Sequence, residues 1–444
     1  MRKTAVFPVA APGVFKQKLL AWAEAHEVCA YLDSNDFKTQ NPKPKTQNSK
    51  PKTQNWECLA AAGMADFVQK QAGQGAFEAL QNLHDDKRDW LFGFLGYDLK
   101  NELENLRSEN PDGIGLPDLY FFQPENVVGL RDGQAHVFSL HDDPEAVFQI
   151  IENQELDDRP PSTVNRQPST VQPKIAKADY LKIIEQVRRD IALGDFYELN
   201  FCQEFFAEGA EIDPAAIFRR LNAIGRAPFS AYFRLRELHL CCASPERFLK
   251  KTGDQLASQP IKGTRRRGQT EAEDAALAHE LAASAKDRSE NVMIVDLVRN
   301  DLGRVCEPGT VAVPELCGIH RFETVFQMIS TVVGRLRPEV HWVDALRAAF
   351  PPGSMTGAPK VMAMQRIERY EKSRRGLYSG AVGYITPEAD FDFNVVIRSV
   401  LYNSIQQYVS FQVGGAIVFD SQPEAEYEEC LVKAEAMLRA LGLT

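Results

Sequence analysis

A chain of 444 residues is long enough for two or three domains or one large composite core. Hydrophobic residues at 44% and charged residues at 25% are ordinary for a globular protein, and a formal net charge of −10 argues against a nucleic-acid surface. No apolar run reaches the length of a spanning helix, which argues against a membrane protein.

At the start, Arg2-Lys3 precede the short apolar stretch Ala5-Val6-Phe7. Pro8 and Pro12-Gly13 break that stretch early, so it reads as a first strand and not as an export signal. Tyr31-Leu32-Asp33-Ser34 reads as a strand end followed by an Asx-type turn. From Lys38 to Asn55 the tetrapeptide Lys-Thr-Gln-Asn recurs at 38, 45 and 52. This run is polar, bears proline and has no apolar face, so it reads as an expanded surface loop. Leu91 to Asp98 reads as a buried strand with glycines where another backbone approaches, and Asp118 to Phe122 as a second. A further seven-residue repeat, Pro-Ser-Thr-Val at 161 and 168, marks an interdomain linker. The expected organisation is an N-terminal domain over 1–152, a linker over 153–173 and a catalytic domain over 174–444.

The second half opens with a helix: Tyr180, Ile183, Ile184, Val187 and Ile191 fall at helical spacing, and Gly194 stops the run. Asp195-Phe196-Tyr197-Glu198-Leu199-Asn200 then turns into a strand, Phe201 to Phe205. A turn-like run, Ala243-Ser244-Pro245-Glu246-Arg247-Phe248, precedes Gln259-Pro260-Ile261-Lys262-Gly263-Thr264. Glu246 and Lys262 placed this way can supply a proton donor and a nucleophile to one substrate. A helix over about 287–302 carries Glu290, with Val292, Val295 and Val298 on its expected buried side. Gly353 to Lys360 is glycine-rich and leads into another helix. Strand-like runs at 379–386, 394–401 and 408–418 are joined by short turns. Their density predicts an α+β fold, antiparallel sheets wrapped by helices in a layered sandwich. Ser421-Gln422-Pro423-Glu424 is a capping-box signal for a final helix, on which Glu429 and Lys433 share a face. Two glutamates on separate helices facing one cleft would suit a hard dication. The eight cysteines are scattered, with no Cys-x-x-Cys pair and no zinc spacing, so they read as reduced, buried side chains of a cytoplasmic protein.

In order and spacing, the Lys262 run resembles the chorismate-utilising enzymes when taken with four companions. These are Asp287-Arg288-Ser289-Glu290-Asn291, Pro352 to Lys360, Gly414-Gly415-Ala416-Ile417-Val418 and Glu426-Tyr427-Glu428-Glu429. The likeness is strong over about 175–442 and weak over the first 150 residues. It implies the fold of anthranilate synthase component I, with Glu290 and Glu429 as Mg²⁺ ligands and Glu246 as general acid. It places the pyruvyl carboxylate on Tyr384 and Arg398, and the ring carboxylate at Gly263, Thr264, the Gly414 loop and Lys433. A lysine at 262 is similar to the amination-at-C4 members of the family, whose product leads to para-aminobenzoate and folate. Anthranilate and isochorismate synthases typically carry alanine there. The nucleophile would need a lowered pKa, which burial or Arg265 and Arg266 are expected to provide. Ser34 is similar to a residue of a tryptophan pocket in the family. A glutamine amidotransferase subunit is the implied source of ammonia.

Two departures from the family pattern stand out. Ala416 replaces a frequent glycine, which requires negative φ there. Gln327 stands where several relatives carry histidine. The alternatives are anthranilate synthase component I and a tryptophan-binding scaffold without chemistry.

Overall fold

The computed structural model describes residues 2–35, 56–156 and 170–443. The Lys-Thr-Gln-Asn repeats lie outside the described residues, as do the Pro-Ser-Thr-Val repeats apart from 170–171. The remainder folds into two sheets, of twelve and ten strands, flanked by helices. All pairings among the described strands are antiparallel. This is the expected α+β class.

The centre of the larger sheet runs Val28–Asp33, Phe229–Leu235, Leu238–Ser244, Ser399–Asn403, Tyr408–Ile417 and Glu198–Ala207, neighbour to neighbour. The smaller sheet runs from Ile261–Arg266 through Val325–Arg335, Arg247–Thr252 and Ala381–Ile385 to Leu91–Leu95 and Leu119–Gln123. Strands from before and after 153–173 therefore share both sheets. Tyr31 pairs with Tyr232 in one, and Gly93 with Gly383 in the other. The division expected at 153–173 falls between strands that complete each other's ladders.

Leu91–Leu95 is buried at all five positions, as a strand covered on both faces must be. A Cβ on Gly93 would sit 2.1 Å from the Tyr120 carbonyl oxygen, so the close strand approach requires glycine. An aromatic layer containing Phe92, Phe94, Tyr120, Phe122 and Phe233 fills the space between the sheets. Phe94 meets Phe233 edge to face at 5.3 Å. Each fully buried ring of this kind contributes about 2–3 kcal/mol.

The helix Lys177–Ala192 buries Tyr180, Ile183, Ile184 and Val187, and Gly194 follows it at φ 86°. The helix Ala285–Gly303 is capped by Ser284, whose hydroxyl accepts the Asp287 N–H at 3.3 Å. Its buried side carries Ile294, Val295, Val298 and Leu302, whereas Val292, expected on that side, is exposed. The final helix, Pro423–Ala440, does not form the expected capping box. Its N-cap is Gln422, with no side-chain bond, and the Ser421 hydroxyl accepts the Val418 N–H instead. All eight cysteines are buried and free. Among the described residues no helix is long and apolar enough to cross a membrane.

Candidate active site

Lys262 lies on the edge strand Ile261–Arg266, whose register against Val325–Arg335 slips between Ile261 and Thr264. Such a bulge re-aims a side chain. Gly263 permits it with φ 86°, and a Cβ there would press within 2.9 Å of Asp287. The Lys262 ammonium points inward, 9% exposed overall, and donates to Glu198 Oε1 at 2.8 Å. Glu198 opens the strand Glu198–Ala207 of the other sheet, so this ion pair joins the two sheets.

Burial alone would lower the Lys262 pKa. Glu198, Glu290 and Glu246 outweigh it, and the lysine titrates above its ordinary value. This reverses the expectation of a lowered pKa. Arg265 and Arg266 are themselves engaged: Arg265 pairs with Glu280 at 2.7 Å and Asp287 at 3.1 Å, and Arg266 pairs with Glu273.

Glu246 sits in the tight connection between Leu238–Ser244 and Arg247–Thr252, where its N–H donates to Ser244 Oγ at 3.2 Å. Burial raises its carboxyl to about 7, against a smaller opposing pull from nearby groups that include Lys262. It is therefore a carboxylic acid that holds its proton near neutrality.

Glu290 is likewise raised to about 7 by burial. Its Oε1 accepts no hydrogen bond. Lys286 Nζ stands 4.0 Å from that oxygen and 4.0 Å from Glu426 Oε1, bridging the two carboxyl-bearing helices. On the final helix Lys433 donates to Glu429 Oε1 at 2.7 Å and to the Gly414 carbonyl at 2.7 Å. Burial pushes Glu429 up, but Lys433 and its neighbours hold it below its ordinary value.

The backbone at Gly415 runs under this group. A Cβ there would lie 3.4 Å from Lys433 Nζ and 3.5 Å from both Glu426 Oε2 and Glu429 Oε1. Ala416 is absent from the positive-φ positions, so its methyl is accommodated. The donor set fits a hard dication: an orphaned buried carboxylate oxygen on one helix faces acidic side chains on another. Among the described residues no three such groups already stand together as a finished metal site, so water or substrate oxygens would complete it.

Arg398 has φ 53° and donates to the Lys433 carbonyl at 3.3 Å. Burial pulls its guanidinium below its ordinary range, and Tyr378 and Glu429 beside it pull the other way. Tyr384 does not join Arg398. It lines a separate cavity with Ser34, Trp56, Phe229 and Arg247. Ser34 is thus where a second site was expected, with its hydroxyl donating to the Glu57 carbonyl at 2.9 Å. Gln327 is buried, and its Oε1 has no hydrogen-bond partner.

Lys262, Glu246, Glu290, Glu429, Lys433, Arg398, Gly263 and Gly414 therefore converge from both sheets and two helices, and Thr264 is an exposed neighbour on the Lys262 strand. Three residues join them that sequence reading left unassigned: Glu198, Glu426 and Tyr378. Glu198 stood inside a quoted motif and Glu426 opened another. Tyr378 lies six residues before Tyr384.

A family model described as chorismate binding enzyme matches residues 22–439. Aminodeoxychorismate synthase component 1 of Salmonella typhimurium is 40% identical over 79% of this chain and 76% of that protein. The Bacillus subtilis protein of the same name is 34% identical over 81% of this chain and 78% of its own length. A rice protein named probable aminodeoxychorismate synthase, chloroplastic, is 36% identical over 84% of this chain. The chain spans about half the length of that relative, 46%. Among solved structures, anthranilate synthase component I from Streptococcus pneumoniae superposes with TM-score 0.74 at 26% identity, covering 90% of this chain and 95% of that one. The menaquinone-specific isochorismate synthase of Escherichia coli shares the fold, with TM-score 0.76 at 18% identity over 100% of this chain and 95% of that one.

Proposed function

The chain belongs to the chorismate binding enzymes, and on that premise we propose that it aminates chorismate at C4, giving 4-amino-4-deoxychorismate. The observation that carries this reading is Lys262, a buried lysine in the same cleft as Glu246, whose carboxyl burial raises to about 7. Hydroxide is a poor leaving group, so the C4 hydroxyl must be protonated as it departs. Glu246 supplies that proton. Lys262 attacks C2 with allylic shift and forms a covalent adduct, and water leaves from C4. Ammonia then attacks C4, both ring double bonds shift back, and the C2–nitrogen bond to Lys262 breaks. The pyruvyl group is retained throughout.

Arg398 suits the pyruvyl carboxylate because its planar fork meets two oxygens at once, and Tyr378 beside it would steady the contact. Tyr384, first expected in that role, lines the cavity beside Ser34 instead. The N–H groups of Gly263 and Thr264, the Gly414 loop and Lys433 would hold the ring carboxylate. Glu290 and Glu429, with Glu426 beside them, would hold a Mg²⁺ ion, which supplies positive charge for the ring carboxylate when bound. This local charge offsets the net −10 of the chain. The ammonia would come from a glutamine amidotransferase subunit, in keeping with the name component 1 borne by several relatives. Tryptophan would sit in the separate cavity beside Ser34. A lysine at 262 argues against anthranilate synthase, which aminates C2 and needs no such nucleophile.

Intact-protein mass spectrometry after mixing with chorismate and Mg²⁺, without ammonia, tests the reading. The native protein is expected to gain the mass of chorismate less water, and Lys262→Ala to gain nothing. Full turnover by Lys262→Ala with ammonium would overturn it.

A further inference from the structure

The buried lysine poses a problem of protonation. As an ammonium it cannot attack carbon, and its surroundings favour the ammonium. The proton must leave within the closed site and be available again when the lysine departs. The carboxylates that face Lys262 are Glu198, Glu246, Glu290 and Glu429. Glu246 has to arrive at the reaction with its own proton for the C4 hydroxyl. Glu290 and Glu429 lie towards Lys286 and Lys433, on the helical side of the cleft. Glu198 alone among these four makes a hydrogen bond to the Lys262 nitrogen, at 2.8 Å.

Glu198 is also built for the task. Its side chain is 1% exposed, and its second oxygen, Oε2, is buried without a hydrogen-bond partner. A carboxylate normally collects several donors when it must stay ionised in a buried place. This one has the Lys262 ammonium and a bare oxygen. Its backbone is fixed by pairing with Ala358 on one side, and the next residue, Leu199, pairs with Ile417 on the other. The Lys262–Glu198 hydrogen bond is a single direct contact, so a proton passing between the two crosses no other group.

We infer that Glu198 takes the proton from Lys262 as the lysine becomes a nucleophile and returns it when the lysine leaves. The inference rests on the reading of Lys262 as the nucleophile. The proton count closes. Lys262 ammonium and Glu198 carboxylate become amine and acid. The amine forms its bond to C2, and Glu246 protonates the departing C4 hydroxyl, which leaves as water, while the adduct nitrogen carries the positive charge. Ammonia bonds to C4, and the C2–nitrogen bond breaks with its electron pair returning to Lys262. The new C4 ammonium gives one proton to Glu246. Glu198 then returns its own proton to Lys262. The sum is chorismate plus ammonia giving the amino product plus water. Because the first transfer stays inside the pair, generating the amine requires no proton release to solvent.

The test measures the rate of covalent adduct formation without ammonia in the native protein, Glu198→Gln and Glu198→Asp, each with Mg²⁺ and chorismate. Glutamine keeps the shape and a hydrogen-bond acceptor but cannot hold the proton. The Glu198→Gln rate should fall roughly 100-fold near neutrality, the scale of a lost general base. The deficit should shrink as the pH is raised, because solvent can then take the lysine proton. Glu198→Asp should recover part of the rate, and chorismate KM should move little in either variant. A thermal melt establishes that each variant is folded, and Glu198→Asp stands in if Glu198→Gln is not. Adduct formation by Glu198→Gln at the native rate, with the native pH dependence, would overturn the inference while leaving Lys262 as nucleophile. Absence of any adduct in the native protein, with full turnover by Lys262→Ala, would overturn both.

Discussion

At the scale of single residues, burial sets the chemistry. Glu246 is raised to about 7, so its proton is present below that pH and lost as the pH rises through it. Adduct formation by the native protein should therefore decline above about 7, approaching tenfold per pH unit for a single essential acid. The same burial has a cost to stability. Between its unfolded value and about 7 the folded state binds the extra proton, so stability falls as the pH rises across that window. Glu246→Gln should accordingly stabilise the protein by about 1–3 kcal/mol above that window while abolishing adduct formation. Calorimetry and the mass assay check the two halves separately. Arg398→Lys should raise chorismate KM about tenfold or more through loss of the planar fork, with a smaller effect on the chemical step.

At the scale of elements, the site depends on glycines that let backbones meet. A Cβ on Gly414 would lie 1.9 Å from the Phe201 carbonyl oxygen, inside the ladder between Tyr408–Ile417 and Glu198–Ala207. Gly414→Ala should destabilise by about 1–3 kcal/mol or more by forcing that ladder apart, and a lowered melting midpoint would register it. The elements themselves were legible because their periodicity is local: the helical stripe from Tyr180 to Val187 and the all-buried run Leu91–Leu95 read directly. What was not legible is what crosses between the sheets. Glu198 and Lys262 are 64 residues apart and belong to different sheets, and no spacing rule links them. Tyr378 lies in the turn that leads into Ala381–Ile385 and Tyr384 on that strand, and their surroundings differ. Ser421 looked like a cap because its spacing to Glu424 was right, but its hydroxyl serves the preceding turn. Strands on both sides of 153–173 complete common sheets, a pairing that no local spacing announces.

At the scale of the whole molecule, the proposed dicarboxylate substrate would meet an acidic chain, and local cations with the proposed metal would offset that charge. Glu290→Gln and Glu429→Gln should each abolish Mg²⁺-dependent turnover, and native-like activity in either would remove the metal assignment. Tryptophan should raise the melting midpoint by binding beside Ser34 and Tyr384, away from Lys262. The most direct test of the central claim is the identity of the product formed from chorismate, Mg²⁺ and a high concentration of ammonium, resolved by mass spectrometry. The expected product bears an amine, retains the pyruvyl group and disappears in Lys262→Ala. Fluorescent anthranilate, with the pyruvyl group lost, would contradict it.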